Sequence, residues 1–144
     1  MTGSRTFAIG TCRWADAAPA LRHVRHAVFV VEQRVPETLE WDDADVASLH
    51  ALAVDDRDEP IGCARLLADG HIGRVAVLAP WRGRGVGSAL LLRLVDEARV
   101  RGAVRVILNA QVAAMPFYAR HRFVALGDVF EEAGIAHCAM ERAL

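Results

Sequence analysis

The segment with the most chemical content is Leu78-Ala-Pro-Trp-Arg82-Gly83-Arg84-Gly85-Val86-Gly87-Ser88-Ala89. A β-type apolar run leads into it and an amphipathic helical run leads out. A helix start carries backbone N–H groups that lack partners within the helix, together with a partial positive charge. Glycines ahead of it let the backbone approach an anion closely and adopt positive φ. The segment is therefore built to hold a phosphate or pyrophosphate, with Arg82 and Arg84 adding charge beside it. Three patterns compete. A Walker loop needs Lys then Ser or Thr after its last glycine, and Val86-Gly87-Ser88 offers no Lys. A dinucleotide fingerprint counted from Gly83 and Gly85 needs glycine where Ser88 stands. Arg82-Gly-Arg-Gly85-Val-Gly87 satisfies the third pattern, Arg/Gln-x-x-Gly-x-Gly/Ala, in full. The plain structural alternative is a Gly-rich turn that only caps a helix.

Two further residues could move protons. Tyr118 is the only tyrosine and follows Phe117, and on residue types alone it reads first as a packed aromatic. His137 stands in an apolar run beside Ile135 and Met140, where a lone histidine is commonly a hydrogen-bonded core residue. An unperturbed histidine, with a pKa of about 6.5, also suits a general base. Glu40, Asp42, Asp43 and Asp45 form an acidic cluster, which reads as a solvated face or as an entrance that attracts a cation.

These residues need a scaffold. Phe7 to Arg13 reads as a first strand. From Pro19 the spacing of Leu21, Val24, Ala27 and Val28 is helical, with His23, Arg25 and His26 largely off the apolar face. That helix should fade in the β-branched stretch Val28 to Val31, and residues 32–46 read as a loop with at most one more helical turn. Leu49 to Val54, Ile61 to Leu67 and Ile72 to Leu78 form an antiparallel meander, turned by residues 55–60 and by the hairpin dipeptide Asp69-Gly70. Val86, Ala89, Leu90, Leu94 and Ala98 share a helical face that ends before Gly102. A buried strand runs through Val104 to Asn109 and a short helix over Ala113 to Arg120. Phe123 to Phe130 and Ala136 to Glu141 are the last strands, separated by Gly134. The order β-α-β-β-β-α-β-α-β-β predicts an α/β (α+β) fold with a mixed, mostly antiparallel sheet flanked by helices, and residues 1–144 as one domain.

Composition narrows the function classes. The 144 residues are 53% hydrophobic and 24% charged, with a formal net charge of −1, a globular profile that excludes a disordered chain. Every basic residue is Arg and none is Lys. With no basic excess, nucleic acid is not expected as a partner. Cys12, Cys63 and Cys138 lie far apart without metal-ligand spacing, so no metal is expected and a reducing compartment is. No apolar run reaches the ~18 residues of a membrane span, and the N-terminal residues lack a signal-peptide core. A cytoplasmic location without membrane association follows as the expectation.

The glycine loop with its flanks, Arg74-Val-Ala-Val77 before and Ser88-Ala-Leu-Leu after, resembles the coenzyme A loop of the GNAT superfamily of N-acetyltransferases. The blocks Val24-Arg25-His-Ala-Val28-Phe29-Val-Val-Glu32-Gln33, Leu108-Asn109-Ala110-Gln111, Phe117-Tyr118-Ala-Arg-His-Arg-Phe123 and Phe130 to Met140 extend the resemblance to the ElaA/YjcF-like branch, from about residue 20 to the C-terminus. One departure is Arg122, where the family usually has glycine.

The resemblance implies acetyl-CoA as co-substrate, lying between the strand through Arg74 to Leu78 and the strand through Val104 to Asn109. Backbone near Val75 and Val77 would pair with the pantetheine, and the amides of Arg84, Gly85, Val86, Gly87 and Ser88 would hold the pyrophosphate, with Arg82 and Arg84 contacting phosphate. The acceptor would be the amine of a small molecule. Tyr118 would protonate the departing thiolate and His137 would be the base, with Glu32, Glu40, Asp42, Asp43, His50 and a water held by any of them as competing bases. Arg74, Asn109, Gln111 and Glu32 would line the reaction centre. A non-catalytic acyl-CoA sensor and a protein N-acetyltransferase are the alternatives, and the superfamily's frequent homodimers leave the oligomeric state open.

Overall fold

The computed structural model describes residues 6–144. Strands β1 (Phe7–Arg13), β2 (Leu49–Asp55), β3 (Pro60–Leu66) and β4 (Ile72–Val77) form an antiparallel sheet in that order. Strands β5 (Arg105–Gln111), β6 (Val124–Glu132) and β7 (Ile135–Ala143) form a second, ordered β5-β7-β6. The helices are α1 (Trp14–Arg25), a four-residue α2 (Glu37–Glu40), α3 (Val86–Val100) and α4 (Met115–Arg120). No helix among the described residues is long and apolar enough to cross a membrane.

Strand β3 is buried on both faces, with Arg65 as the one charged residue in it. Cys63 and Ala76 pack with Leu21, Val24, Val28 and Phe29 of the α1 side. Ala64 and Leu66 pack with Val86, Leu90, Leu91 and Leu94 of α3. Gly62 allows that approach, because a Cβ there would lie 3.0 Å from both Leu90 Cδ1 and Val86 Cγ1.

Two expectations for the first helix need correction. It begins at Trp14, five residues before Pro19. Pro19 is exposed and so is Ala15, so the carbonyl that loses its helical partner faces water and the helix tolerates the ring. The helix also does not fade at Val28 to Val31. It continues as a π-helix over His26–Glu32, closed by the Gln33 N–H bond to the Val28 carbonyl at 3.0 Å. Burial of Val28 and Phe29 outweighs the weak helix preference of β-branched residues.

The acidic cluster is a solvated face only in part: Asp42 and Asp43 are exposed, Glu40 and Asp45 are not. Arg25, expected off the apolar side, is 1% exposed, and Glu40 and Asp45 are buried against it. Its Nη2 lies 3.0 Å from Glu40 Oε2 and its Nη1 2.7 Å from Asp45 Oδ1. Arg65 joins Asp45 to Asp42, at 3.1 and 2.8 Å. Arg74 closes the network, with Nε 2.8 Å from Glu40 Oε2 and Nη2 3.4 Å from Asp42 Oδ2. Arg22 and Arg25 both lie over the rings of Trp14 and Trp41. His50 is buried and its Nε2 donates to the Asp45 carbonyl at 2.9 Å. Burial holds its pKa below the ordinary histidine range. Three arginines and three carboxylates thus tie α1, the segment after the π-helix, β3 and β4 together. Removing one partner leaves buried charge uncompensated, so Arg25→Met should cost about 3 kcal/mol or more in urea unfolding. A loss below ~1 kcal/mol would show that the network carries little.

Arg122 sits in the turn after α4 at φ 69°, the left-handed region. The turn that glycine usually makes is therefore kept, with a side chain strained into it. Arg122→Gly should raise stability by about 0.5–1 kcal/mol in thermal or urea unfolding. An unchanged or lower midpoint would mean that contacts of the arginine offset the strain.

Candidate active site

The residue leading into β4 pairs once with β5. His71 and Ile107 form a parallel bridge, and the Ile107 N–H donates to the Gly70 carbonyl at 3.1 Å. Gly70 has φ 94°, and a Cβ on it would stand 3.1 Å from the Arg105 carbonyl, so this junction requires glycine. Beyond the bridge the strands are unpaired. A bulge in β4 accompanies the parting: Cys63 faces Ala76 and Arg65 faces Gly73, leaving Arg74 and Val75 opposite Ala64 alone. Arg74 takes φ 50° there, and its carbonyl accepts from the Cys63 thiol at 3.6 Å. A cleft of about 1030 Å³ opens between the strands.

One end of the cleft is the glycine loop. Gly83 and Gly85 have φ 74° and 86°, and Gly85 in the left-handed region immediately precedes α3. A Cβ on either would meet nothing within 4 Å, so their requirement is conformational. Gly87 differs, because it has no positive φ and a Cβ on it would meet the Phe117 ring at 3.4 Å, an ordinary van der Waals contact. Gly85, Val86, Gly87 and Ser88 all line the cleft. The Ser88 hydroxyl is 2.8 Å from His121 Nε2, a contact that no sequence pattern signalled.

The two arginines of the loop behave differently. Arg82 lines the cleft, with its fork on Glu32 at 2.7 Å for both bonds and its Nε donating to the Val77 carbonyl at 2.9 Å. That pairing lowers the pKa of Glu32. Arg84 is not among the lining residues; its Nε donates to the Pro80 carbonyl and its guanidinium lies over Trp81. The next residue after Glu32 makes a second bond across the cleft, with Gln111 Nε2 donating to Gln33 Oε1 at 2.8 Å. The last residue of the π-helix therefore reaches the glycine loop, and the residue that caps it reaches the end of β5.

The walls carry the remaining candidates. Val75, Val77 and Arg74 of β4 and Asn109 and Gln111 of β5 all line the cleft. So do Tyr118 from α4 and His137 from β7. Tyr118 is packed against Phe117 and Phe123, and burial pushes its phenol up to about 12. His137 is 8% exposed and stacks on Phe130. Its Nδ1 lies 2.7 Å from the Ile135 carbonyl. A carbonyl can only accept, so Nδ1 carries the hydrogen and Nε2 of the neutral ring presents a lone pair. Glu132 Oε2 stands 3.8 Å from that Nε2.

Of the competing bases, Glu40 and Asp42 line the cleft but face arginines, while Asp43 and His50 lie outside it. Burial raises the Asp42 carboxyl, but Arg65 and Arg74 outweigh it and hold the group below its usual range. Burial pushes the Glu40 carboxyl up against the pull of Arg74 and Arg25.

Known proteins share both sequence and shape with this chain. A model of the acetyltransferase (GNAT) domain matches residues 17–144. The uncharacterized N-acetyltransferase YjcF of Bacillus subtilis (strain 168) is 39% identical over 122 residues, covering 82% of this chain and 86% of that protein. The crystal structure of an acyl-CoA N-acyltransferase from Pseudomonas aeruginosa has a TM-score of 0.85 at 32% identity, covering 96% of this chain and 100% of that one. Escherichia coli ElaA has a TM-score of 0.84 at 30% identity, covering 94% and 99%. With the parted strands, the glycine loop and this likeness along nearly the whole chain, the protein belongs to the GNAT family and is an N-acetyltransferase close to YjcF and ElaA.

Proposed function

We propose that the chain transfers an acetyl group from acetyl-CoA to the amine of a small molecule by direct attack, with His137 as general base and Tyr118 as general acid. The observation that carries this reading is one cleft between β4 and β5 with the glycine loop at its end and both proton-transfer groups on its walls. The pantetheine lies along the open edge of β4 near Val75 and Val77, as an added strand would. The pyrophosphate rests on the Gly85–Ser88 amides at the start of α3. Arg82 serves it by exchanging Glu32 for phosphate, whereas Arg84 contributes backbone. Arg74, Asn109 and Gln111 bound the acceptor end.

The protons balance as follows. His137 Nε2 takes one proton from the ammonium, and the freed lone pair attacks the thioester carbonyl carbon. The C–S bond breaks as the amide forms, and the thiolate takes the proton of Tyr118. The second proton released from nitrogen restores the phenol. A phenol raised to about 12 by burial stays protonated throughout the working range, as an acid must. The Ile135 carbonyl fixes the tautomer of His137, and Glu132 faces the charge the ring acquires.

Incubating a metabolite extract with labelled acetyl-CoA identifies the acceptor by mass spectrometry, and acetylation of protein lysines alone would overturn the small-molecule reading. Gly85→Val should weaken acetyl-CoA at least tenfold by calorimetry, about 1.4 kcal/mol, in a protein that still folds. Tyr118→Phe should lower kcat on the order of 10²-fold with acetyl-CoA affinity kept, because the acid acts only in the transition state. If His137 is the base, kcat/KM rises with pH along an acidic limb that His137→Ala removes. A stable His137→Ala protein that retains the limb would transfer the role to another group.

A further inference from the structure

Ser88 and His121 form a pair that the acetyl-transfer scheme does not use. Ser88 is the third residue of α3, and its hydroxyl lies 2.8 Å from His121 Nε2. His121 directly follows α4, with its ring edge-on to Phe117 at 5.2 Å between centroids. Phe117 in turn occupies the space beside Gly87. The end of α4 is therefore seated against the first turn of α3, on the wall where Ser88 and Arg120 line the cleft. The charged groups bearing on the ring are Arg120, beside it in sequence, and Arg142 of β7, whose Nη1 donates to the His121 carbonyl at 3.4 Å. Burial and these two cations hold its pKa below the ordinary histidine range. Imidazolium is disfavoured there until an anion arrives.

We infer that His121 is a positioning residue for the coenzyme phosphates: it turns the Ser88 hydroxyl toward the anion and takes up a proton as the anion binds. This rests on the reading of residues 85–88 as the pyrophosphate cradle. The neutral ring has two ways to meet Ser88. If Nε2 accepts, the hydroxyl hydrogen is held by the ring and lost to a ligand. If Nε2–H donates to Oγ, the hydrogen is free to point at phosphate, and the protonated ring has only this second arrangement. An opposite charge within ~4–6 Å raises the pKa of such a group by about 1–3 units. The free-state value is depressed and the bound-state value higher, so binding takes up protons between the two. Affinity supported by His121 is greatest below the free-state value and falls as pH rises toward the bound-state value.

The test is calorimetry with acetyl-CoA in buffers of different ionisation enthalpy, on the wild type and on His121→Gln, which keeps a side-chain N–H but does not titrate. The wild type should take up a fraction of a proton near pH ~6.5 that His121→Gln does not. The ratio of wild-type to variant affinity should fall as pH rises from about 5.5 to about 8, by up to about tenfold if binding raises the imidazole pKa by about one. Taking the ratio cancels the titration of the coenzyme's own phosphates. An NMR titration of the His121 ring in the wild type, free and saturated with acetyl-CoA, reads the same shift without relying on the variant. Equal proton uptake in both proteins, or an imidazole pKa that does not rise on binding, overturns the inference while leaving the cradle intact. A folded wild type that does not bind acetyl-CoA overturns the cradle and this inference with it.

Discussion

The structure depends on a sheet that is allowed to come apart. A parallel pair of strands normally gains a hydrogen bond at every step, and β4 and β5 form only the bridge at His71 and Ile107. Beyond it, backbone donors and acceptors on the facing edges have no strand to satisfy them, an arrangement that proteins usually avoid by covering or pairing the edge. Here the open edges line a cleft, and an extended amide-bearing ligand would complete what the second strand does not. The parting is built into backbone conformation. Gly70 pins one end, and Arg74, held at φ 50°, bulges β4 where the strands separate.

A strained non-glycine residue persists only where its surroundings over-determine it. The buried ion network does this for Arg74. Its guanidinium is held by Glu40 and Asp42, and those carboxylates are held in turn by Arg25 and Arg65. The network also anchors the short segment after the π-helix, and with it the position from which Glu32 and Gln33 reach across the cleft. A buried ion pair is weak evidence for added stability, and what it does here is hold the Arg74 guanidinium against Glu40. It accounts for carboxylates that look like bases in sequence yet are engaged in structural ion pairs.

What was legible in the sequence is what depends on local rules. The glycine loop was readable because positive φ at Gly83 and Gly85 leaves few other residues possible. The meander was readable from Asp69-Gly70 and the alternation of the strands, and the α3 face from its spacing. The helix start was misjudged because Pro19 looks like a first-turn residue when the exposure of Ala15 is unknown. Arg25 looked solvent-facing because its compensation comes from Glu40 and Asp45, 15 and 20 residues away. The Glu32–Arg82 and Gln33–Gln111 contacts span 50 and 78 residues, beyond any periodicity. His121 had no signal of its own, since its partner lies on another helix. Residue types alone leave the roles of Tyr118 and His137 open, and the proposed acid and base rest on the family resemblance.

The most direct measurement of the central claim, that the parted strands receive the coenzyme, is amide hydrogen exchange with and without acetyl-CoA. Peptides covering residues 72–78 and 83–90 should slow on binding, because their free N–H groups gain partners. Strands β1 and β2, at the opposite side of that sheet from the cleft, should exchange unchanged. Protection confined to other regions, or none in 72–78 at saturating acetyl-CoA, would contradict a coenzyme lying along the open edge of β4.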